Sequence, residues 1–235
     1  MPRTFLKTLL SDSLHLFYPH HCNGCGSDLL DNTSLLCLDC INHLPRTGFA
    51  IHENNPIEKY FRGRLLIQAA HSEYYFEKDS VIQELIHQLK YSGNTRIGEY
   101  LGEQLGMSLL QSNRFGNLDA LIPLPLFPDK ERKRGYNQSD IICRGIARVM
   151  NIPIITDAVI RRQATETQTH KHRTERWENV RDSFAVMHPE KINNKCMLLV
   201  DDVITTGATL EACGQTILLA GVQQLSIATI AQATR

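Results

Sequence analysis

The sequence predicts an α/β protein: a parallel sheet flanked by helices, with a small cysteine-bearing module ahead of it. Three observations carry this. Met197-Leu198-Leu199-Val200 is an apolar run ending in two acids, the pattern of a strand buried on both faces of a parallel sheet. From residue 65 onward strand and helix patterns alternate, as a βαβ architecture requires. Two Cys-x2-Cys pairs, Cys22 with Cys25 and Cys37 with Cys40, stand close together near the N-terminus.

The elements follow in order. Apolar residues at 5/6, 9/10, 14 and 17 predict an amphipathic helix, and Asp12 interrupts what a signal peptide would need as an apolar centre. Residues 1–48 then form a helix and metal module, and residues 49–64, with Asn54-Asn55-Pro56, read as a connector to a domain spanning 65–235. Residues 65–76 read as a strand or a hairpin. Helical spacing at 81, 82, 85, 86 and 89 predicts a helix over 81–90, and a second runs over about 96–111. A strand is expected at 118–124, a helix at 138–150, a short strand at 152–155 and the diagnostic strand at 195–200. A helix over 210–220 with Gly221 as its C-cap, and a closing strand at 224–231, complete the reading.

Composition bounds the function. The chain has 235 residues, enough for one large or two small domains, and 42% of them are hydrophobic, enough to bury a core. Formal net charge is zero, so no global field draws the molecule to nucleic acid or to a membrane surface. No apolar run approaches the length of a membrane span, and a cytoplasmic protein is expected. In that compartment paired Cys-x2-Cys spacings favour tetrahedral Zn²⁺ over disulfides or redox thiols, although those readings stay open. His20 and His21 abut Cys22 and are substitute ligands, but Cys22, Cys25, Cys37 and Cys40 already close a structural site of zinc-ribbon-like type. Cys143, Cys196 and Cys213 have apolar neighbours and read as small core residues.

The chemistry concentrates at the end of the diagnostic strand. Asp201 and Asp202 are followed by Thr205-Thr206-Gly207-Ala208-Thr209 and then a helix. In an open α/β sheet ligands bind beyond the carboxyl ends of strands. A helix amino terminus offers N–H groups and a positive dipole end to an anion. A phosphate beside hydroxyls is the ligand this arrangement suits. A nucleotide-binding Asp-Asp strand of the Walker B type is excluded, because no Gly-Lys pair exists to supply its phosphate loop. His-Glu-x-x-His, Gly-x-Ser-x-Gly and Gly-x-Gly-x-x-Gly are also absent.

Two further segments add charge. Pro123-Leu124-Pro125 precedes a basic cluster that includes Arg132 and Arg134, a place where a pyrophosphate could be gripped, or else a solvated surface loop. Residues 161–180 are polar, basic and poor in apolar periodicity until Trp177, which fits a lid over the site or an exposed connector.

The run from Met197 to Thr209 resembles the phosphoribosyl-pyrophosphate (PRPP) motif of type I phosphoribosyltransferases. The order of the cysteine pairs, Leu85-Ile86-His87-Gln88-Leu89-Lys90-Tyr91-Ser92-Gly93, Pro123-Leu124-Pro125, Arg134-Gly135-Tyr136-Asn137-Gln138-Ser139, and Thr165, Gln168, Arg176, Asn179 and Phe184 narrows this to the ComF family. Lys171 departs from that family, where many relatives carry an apolar residue. The resemblance implies a type I phosphoribosyltransferase-like parallel sheet flanked by helices, joined to an N-terminal zinc module. Asp201 and Asp202 would hold the ribose hydroxyls, Thr205 to Thr209 the 5′-phosphate, and Pro123, Leu124, Arg132 and Arg134 the pyrophosphate. Thr165, Gln168, Lys171, Arg173 and Arg176 would belong to the lid. Mg²⁺ would accompany PRPP. Enzymes acting on 6-oxopurines place an aspartate where Thr205 stands, so that acceptor class is disfavoured. Two functions therefore fit: transfer of phosphoribosyl to an unassigned nitrogen acceptor, or a non-catalytic, PRPP-regulated role in DNA uptake with single-stranded DNA and a DNA-uptake helicase as partners.

Overall fold

The computed structural model describes residues 20–29, 33–162 and 183–233. The helix expected within residues 5–17 lies outside them. A two-stranded antiparallel hairpin, β1 (His20–His21) and β2 (Asp28–Leu29), brackets the first cysteine pair. Helix α1 (Leu38–Asn42) carries the second pair, with Cys37 at its N-cap accepting a hydrogen bond from the Cys40 amide.

Residues 49–64, expected as a connector, are built into the body. A 3-10 turn (Phe49–Ile51) leads to α2 (Pro56–Phe61). Asn55 caps that helix by accepting from the Ile57 and Glu58 amides, with Pro56 preset at the first helical position. The same side chain donates to the Ala70 carbonyl at 2.8 Å, tying the helix to the start of the sheet. Ile57 and Phe61 are fully buried. Hydrophobic spacing was hidden here because a helix of this length has room for only two inward positions.

The sheet has four parallel strands in the order β3 (Ala70–Phe76), β8 (Gln224–Ala233), β7 (Cys196–Ile204) and β4 (Ala120–Pro123). Each central strand is buried on both faces, which explains their unbroken apolar runs. Along β7, Leu198 and Val200 pack into one core and Met197 and Leu199 into the other, the alternation that a period of two requires. The first core is covered by α3 (Val81–Tyr91), α4 (Thr95–Leu110) and α6 (Gln138–Met150). The second is covered by α2 and α7 (Ala208–Leu219).

Several boundaries differ from the sequence expectation. Only Ala70–Phe76 of the 65–76 stretch is strand, and it pairs in parallel with β8 rather than folding into a hairpin. Residues 152–155 reduce to one parallel bridge from Ile154 to Leu121 at the edge of the sheet. Helix α5 (Pro128–Arg134) lies within the basic cluster read as a loop. It buries no residue, so it has no apolar stripe, but Pro128 at its start and Gly135 in the left-handed conformation at its end mark it. An antiparallel pair, β5 (Val159–Arg161) with β6 (Phe184–Val186), was also unmarked by the sequence pattern, being only three residues per strand.

Helices α4 and α6 touch backbone to backbone. A Cβ on Gly102 would lie 2.1 Å from the Ile142 carbonyl oxygen, and one on Gly145 would lie 2.1 Å from that of Glu99. Arg148 closes the rim of this seam on Glu99 and Glu103. Because neither backbone can yield without moving a helix, Gly102→Ala and Gly145→Ala should each destabilise the fold by about 1–3 kcal/mol. Thermal melts check this, at about 2–4 °C per kcal/mol for a chain of this size. Unchanged melting temperatures would contradict the seam.

Candidate functional site

The site arises where β7 outruns its neighbour. The last β4 pair is Pro123 with Val200, and the Leu124 amide makes a final bond to the Val200 carbonyl at 2.8 Å. On the other side β8 keeps pairing through Ile204 with Gln232. Asp201 and Asp202, expected just past the end of a strand over 195–200, therefore lie within it. The β8 ladder accounts for the extra length.

Adjacent residues on a strand project to opposite faces, so the two acids have different surroundings. Asp202 is 4% exposed, and its Oδ2 lies 2.9 Å from Nζ of Lys90 in the last turn of α3. Asp201 Oδ1 accepts from the Ser139 hydroxyl at 3.0 Å and from the Asp202 amide at 2.8 Å. Burial first, and the Asp202 charge second, push the Asp201 carboxyl up to about 7. Lys90 and Ser139 stood in the motifs carrying the family resemblance, but sequence reasoning gave neither a role here. A signal existed for each. Lys90 follows Leu89, the last fully buried position of α3, and Ser139 lies in the first turn of α6, beside its N-cap Asn137.

The loop after β7 contains Thr205 and Thr206, both exposed, then buried Gly207 with φ of 75°, then the start of α7 at Ala208 and half-buried Thr209. The helix begins two residues earlier than the expected 210, so Ala208 and Thr209 form its first turn. Gly207 is required twice over. Its φ lies in the left-handed region, and a Cβ there would sit 3.2 Å from Cε1 of Phe61. The helix of the expected connector thus forms the floor under this loop.

The residues expected at the pyrophosphate end are less gathered. Pro123 ends β4, and buried Leu124 accepts from Asn137 Nδ2 through its carbonyl at 2.9 Å. Arg132 is exposed on α5 and pairs with Asp129. Arg134 donates to Gln138 Oε1, and its guanidinium lies 5.8 Å from the Tyr91 ring centre. A further cation on this side of the sheet is Arg161 of β5. It stacks 3.8 Å from the Phe127 ring and 5.2 Å from the Phe184 ring, and it feels the Asp201 charge. With Pro123, Pro125, Asn137 and Asp140 it lines a cleft of about 350 Å³. Thr165, Gln168, Lys171, Arg173 and Arg176, expected in a lid, lie outside the described residues.

The four module cysteines converge, their sulfurs all within 4.8 Å of one another. Cys22 Sγ accepts from the Gly24 amide at 3.4 Å and the Cys37 amide at 3.2 Å, bonds that favour thiolate. Hydrogen bonds from Ser27 draw the Cys25 thiol down to about 6. Four sulfurs at this spacing suit a tetrahedral metal ion, consistent with structural zinc. His20 and His21 are engaged elsewhere: His20 Nε2 meets the Ser34 carbonyl at 2.9 Å, and His21 Nδ1 meets Asp28 at 3.0 Å. Among the described residues no helix is long and apolar enough to cross a membrane.

Comparison with known proteins bears out the resemblance read from the motifs. Residues 141–235 match the family model of the phosphoribosyl transferase domain, which takes in the end of β7, the following loop and α7. The chain is a homologue of the DNA utilization protein YhgH of Shigella flexneri, 32% identical over 62% of this chain and 65% of that one. It therefore spans just under two thirds of that relative's length. Competence protein F of Haemophilus influenzae is 26% identical over 92% of this chain and 99% of its own. Among solved structures, a glutamine PRPP amidotransferase from B. subtilis is similar at 17% identity with a TM-score of 0.44, over 62% of this chain and 30% of that one.

Two outcomes follow from the geometry. Because the folded chain raises the Asp201 carboxyl from 3.8 to about 7, it binds a proton that the unfolded chain releases near 3.8. The stability this lends is complete below the lower value and is lost as pH rises through about 7. Asp201→Asn, which cannot ionise, should therefore melt higher than wild type at pH 8, by about 2–4 °C or more, and match it near pH 4. A variant no more stable at pH 8 would contradict the burial assigned to this acid. Second, purified chain should carry about one zinc ion, and stripping it with a chelator should lower the melting temperature. Elemental analysis and a melt decide the matter, and a metal-free chain of full stability would remove the module's metal.

Proposed function

We propose that this chain binds magnesium PRPP at the end of β7 and transfers its phosphoribosyl group to a nitrogen acceptor. One observation carries the reading: a carboxylate pair on an overhanging strand, followed directly by a Thr-Thr-Gly-Ala-Thr loop whose glycine is left-handed and opens a helix. The match of this segment to the phosphoribosyl transferase domain supports it.

The ligand is a diol between two phosphate ends, and the residues sort accordingly. Carboxylate oxygens accept from the ribose hydroxyls, as Asp201 already accepts from the Ser139 hydroxyl. Main-chain amides of the loop and of the first turn of α7 face a 5′-phosphate, and Thr205, Thr206 and Thr209 add hydroxyl donors. Arg161, held between two aromatic rings beside the cleft at the end of β4, supplies a cation at the pyrophosphate end along with Arg132 and Arg134. Mg²⁺ arriving with the ligand would neutralise the leaving group, chemistry for which oxygen donors suffice. No protein nucleophile is needed. The chain positions C1 for attack and spreads the charge that develops on departing pyrophosphate. Residues Thr165, Gln168, Lys171, Arg173 and Arg176 are assigned to a cover that excludes water.

A second reading is favoured by what the relatives are called. Competence protein F and a DNA utilization protein point to handling of DNA, with the pocket serving regulation and the zinc module and basic surfaces meeting single-stranded DNA and an uptake helicase. Tyr91 beneath Arg134 and Phe127 beneath Arg161 are the ring–cation pairs such a surface would use.

Titration calorimetry tests the shared premise. Wild type should bind PRPP only with Mg²⁺, and replacing Asp201 and Asp202 together with alanine should abolish the heat. Equal affinity in the double variant would end the assignment. A screen for PRPP consumption against bases and small amines then separates the two readings, since turnover with any acceptor selects the enzyme.

A further inference from the structure

The two acids are not equivalent, and the difference lies in Lys90. Asp202 is 4% exposed and meets the Lys90 ammonium at 2.9 Å, whereas Asp201 is half-buried and holds a hydroxyl that a ligand hydroxyl can replace. Lys90 reaches Asp202 from a fixed place. Before it, Gln88 donates to the Asn23 carbonyl at 2.9 Å in the metal module, and Leu89 is fully buried. The Leu89 carbonyl accepts from the Tyr136 hydroxyl, so the last turn of α3 is clamped by the module on one side and by the segment ahead of α6 on the other. A buried carboxylate with a cation delivered by so constrained a helix end has its counter-ion built in.

We propose that Lys90 is a positioning residue of the PRPP pocket: it neutralises and orients Asp202, leaving Asp201 as the acid that meets the sugar. This rests on the ligand reading given above. The consequence is electrostatic. PRPP is a polyanion, and a pocket with two uncompensated carboxylates would repel it. With Lys90 in place the pocket presents about one negative charge fewer, and less Mg²⁺ is needed to neutralise the ligand.

The test measures magnesium PRPP affinity over a range of Mg²⁺ concentrations for wild type, Lys90→Met, Lys90→Arg, Asp202→Asn, Asp201→Asn and Lys90→Met with Asp202→Asn. Lys90→Met should bind about tenfold or more weakly and need a higher Mg²⁺ concentration to reach half of its maximal affinity. Lys90→Arg should keep most of the affinity. The combined variant, whose pocket has the wild-type net charge, should reach half of its maximal affinity at the wild-type Mg²⁺ concentration, and Asp201→Asn should lose more affinity than Asp202→Asn. If Lys90→Met melts too low to assay, the Mg²⁺ dependence of the combined variant against that of wild type still decides. Unchanged affinity and Mg²⁺ dependence in Lys90→Met, or a combined variant that needs clearly more Mg²⁺ than wild type, overturns the proposal, the latter by showing that Lys90 acts on the ligand itself. A wild-type chain that binds no magnesium PRPP overturns it along with the reading of the pocket, an outcome distinct from both.

Discussion

A strand that continues after one neighbour has stopped is the constraint on which the rest of the site depends. β7 needs β8 to satisfy its backbone through Ile204, while β4 leaves at Leu124. The four residues beyond Val200 are thus rigid on one side and open on the other. Rigidity holds two carboxylates in place, and openness admits side chains from α3, α6 and β5. Had β4 run four residues further, its backbone would have closed the crevice. Had β8 stopped with β4, Asp201 and Asp202 would stand on a loose, well solvated loop.

Holding adjacent carboxylates away from water is unfavourable, and the structure answers it unequally. Asp202 receives an ammonium; Asp201 receives a hydroxyl and an amide and remains raised to about 7. The ammonium comes from a helix that also meets the cysteine module, through Gln88 to the Asn23 carbonyl, while Asn94, just ahead of α4, donates to the Asn23 side chain at 3.1 Å. The four-cysteine cluster and the acid pair are therefore two ends of one mechanical connection, although they are far apart in sequence.

Much of this was legible in the residues. The apolar run before Asp201 identified a doubly buried strand, the helical spacing from 81 to 89 identified α3, and the cysteine spacing identified the convergent sulfurs. What escaped notice shares a cause. Helix α5 buries nothing, α2 buries only two side chains, and β5 and β6 are three residues each, so none shows a repeat long enough to register. Capping chemistry marked two of them, with Asn55-Pro56 opening α2 and Pro128 and Gly135 bounding α5, and it was the better guide for short elements.

The sequence by itself determined the order of strands and helices, the loop with its obligatory glycine, and the chemistry on offer: paired acids, threonines and four thiols. These are local matters, set by side-chain period, backbone freedom and spacing along the chain. Only the tertiary structure decided which charges meet. Lys90 lies more than a hundred residues from Asp202 and Ser139 sixty-two from Asp201, and although each stands at a helix end legible in the sequence, nothing in the linear pattern says which acid it meets. Contact across that distance depends on how helices pack on the sheet, as in the glycine seam between α4 and α6, and packing is settled by the whole core at once rather than by any one segment.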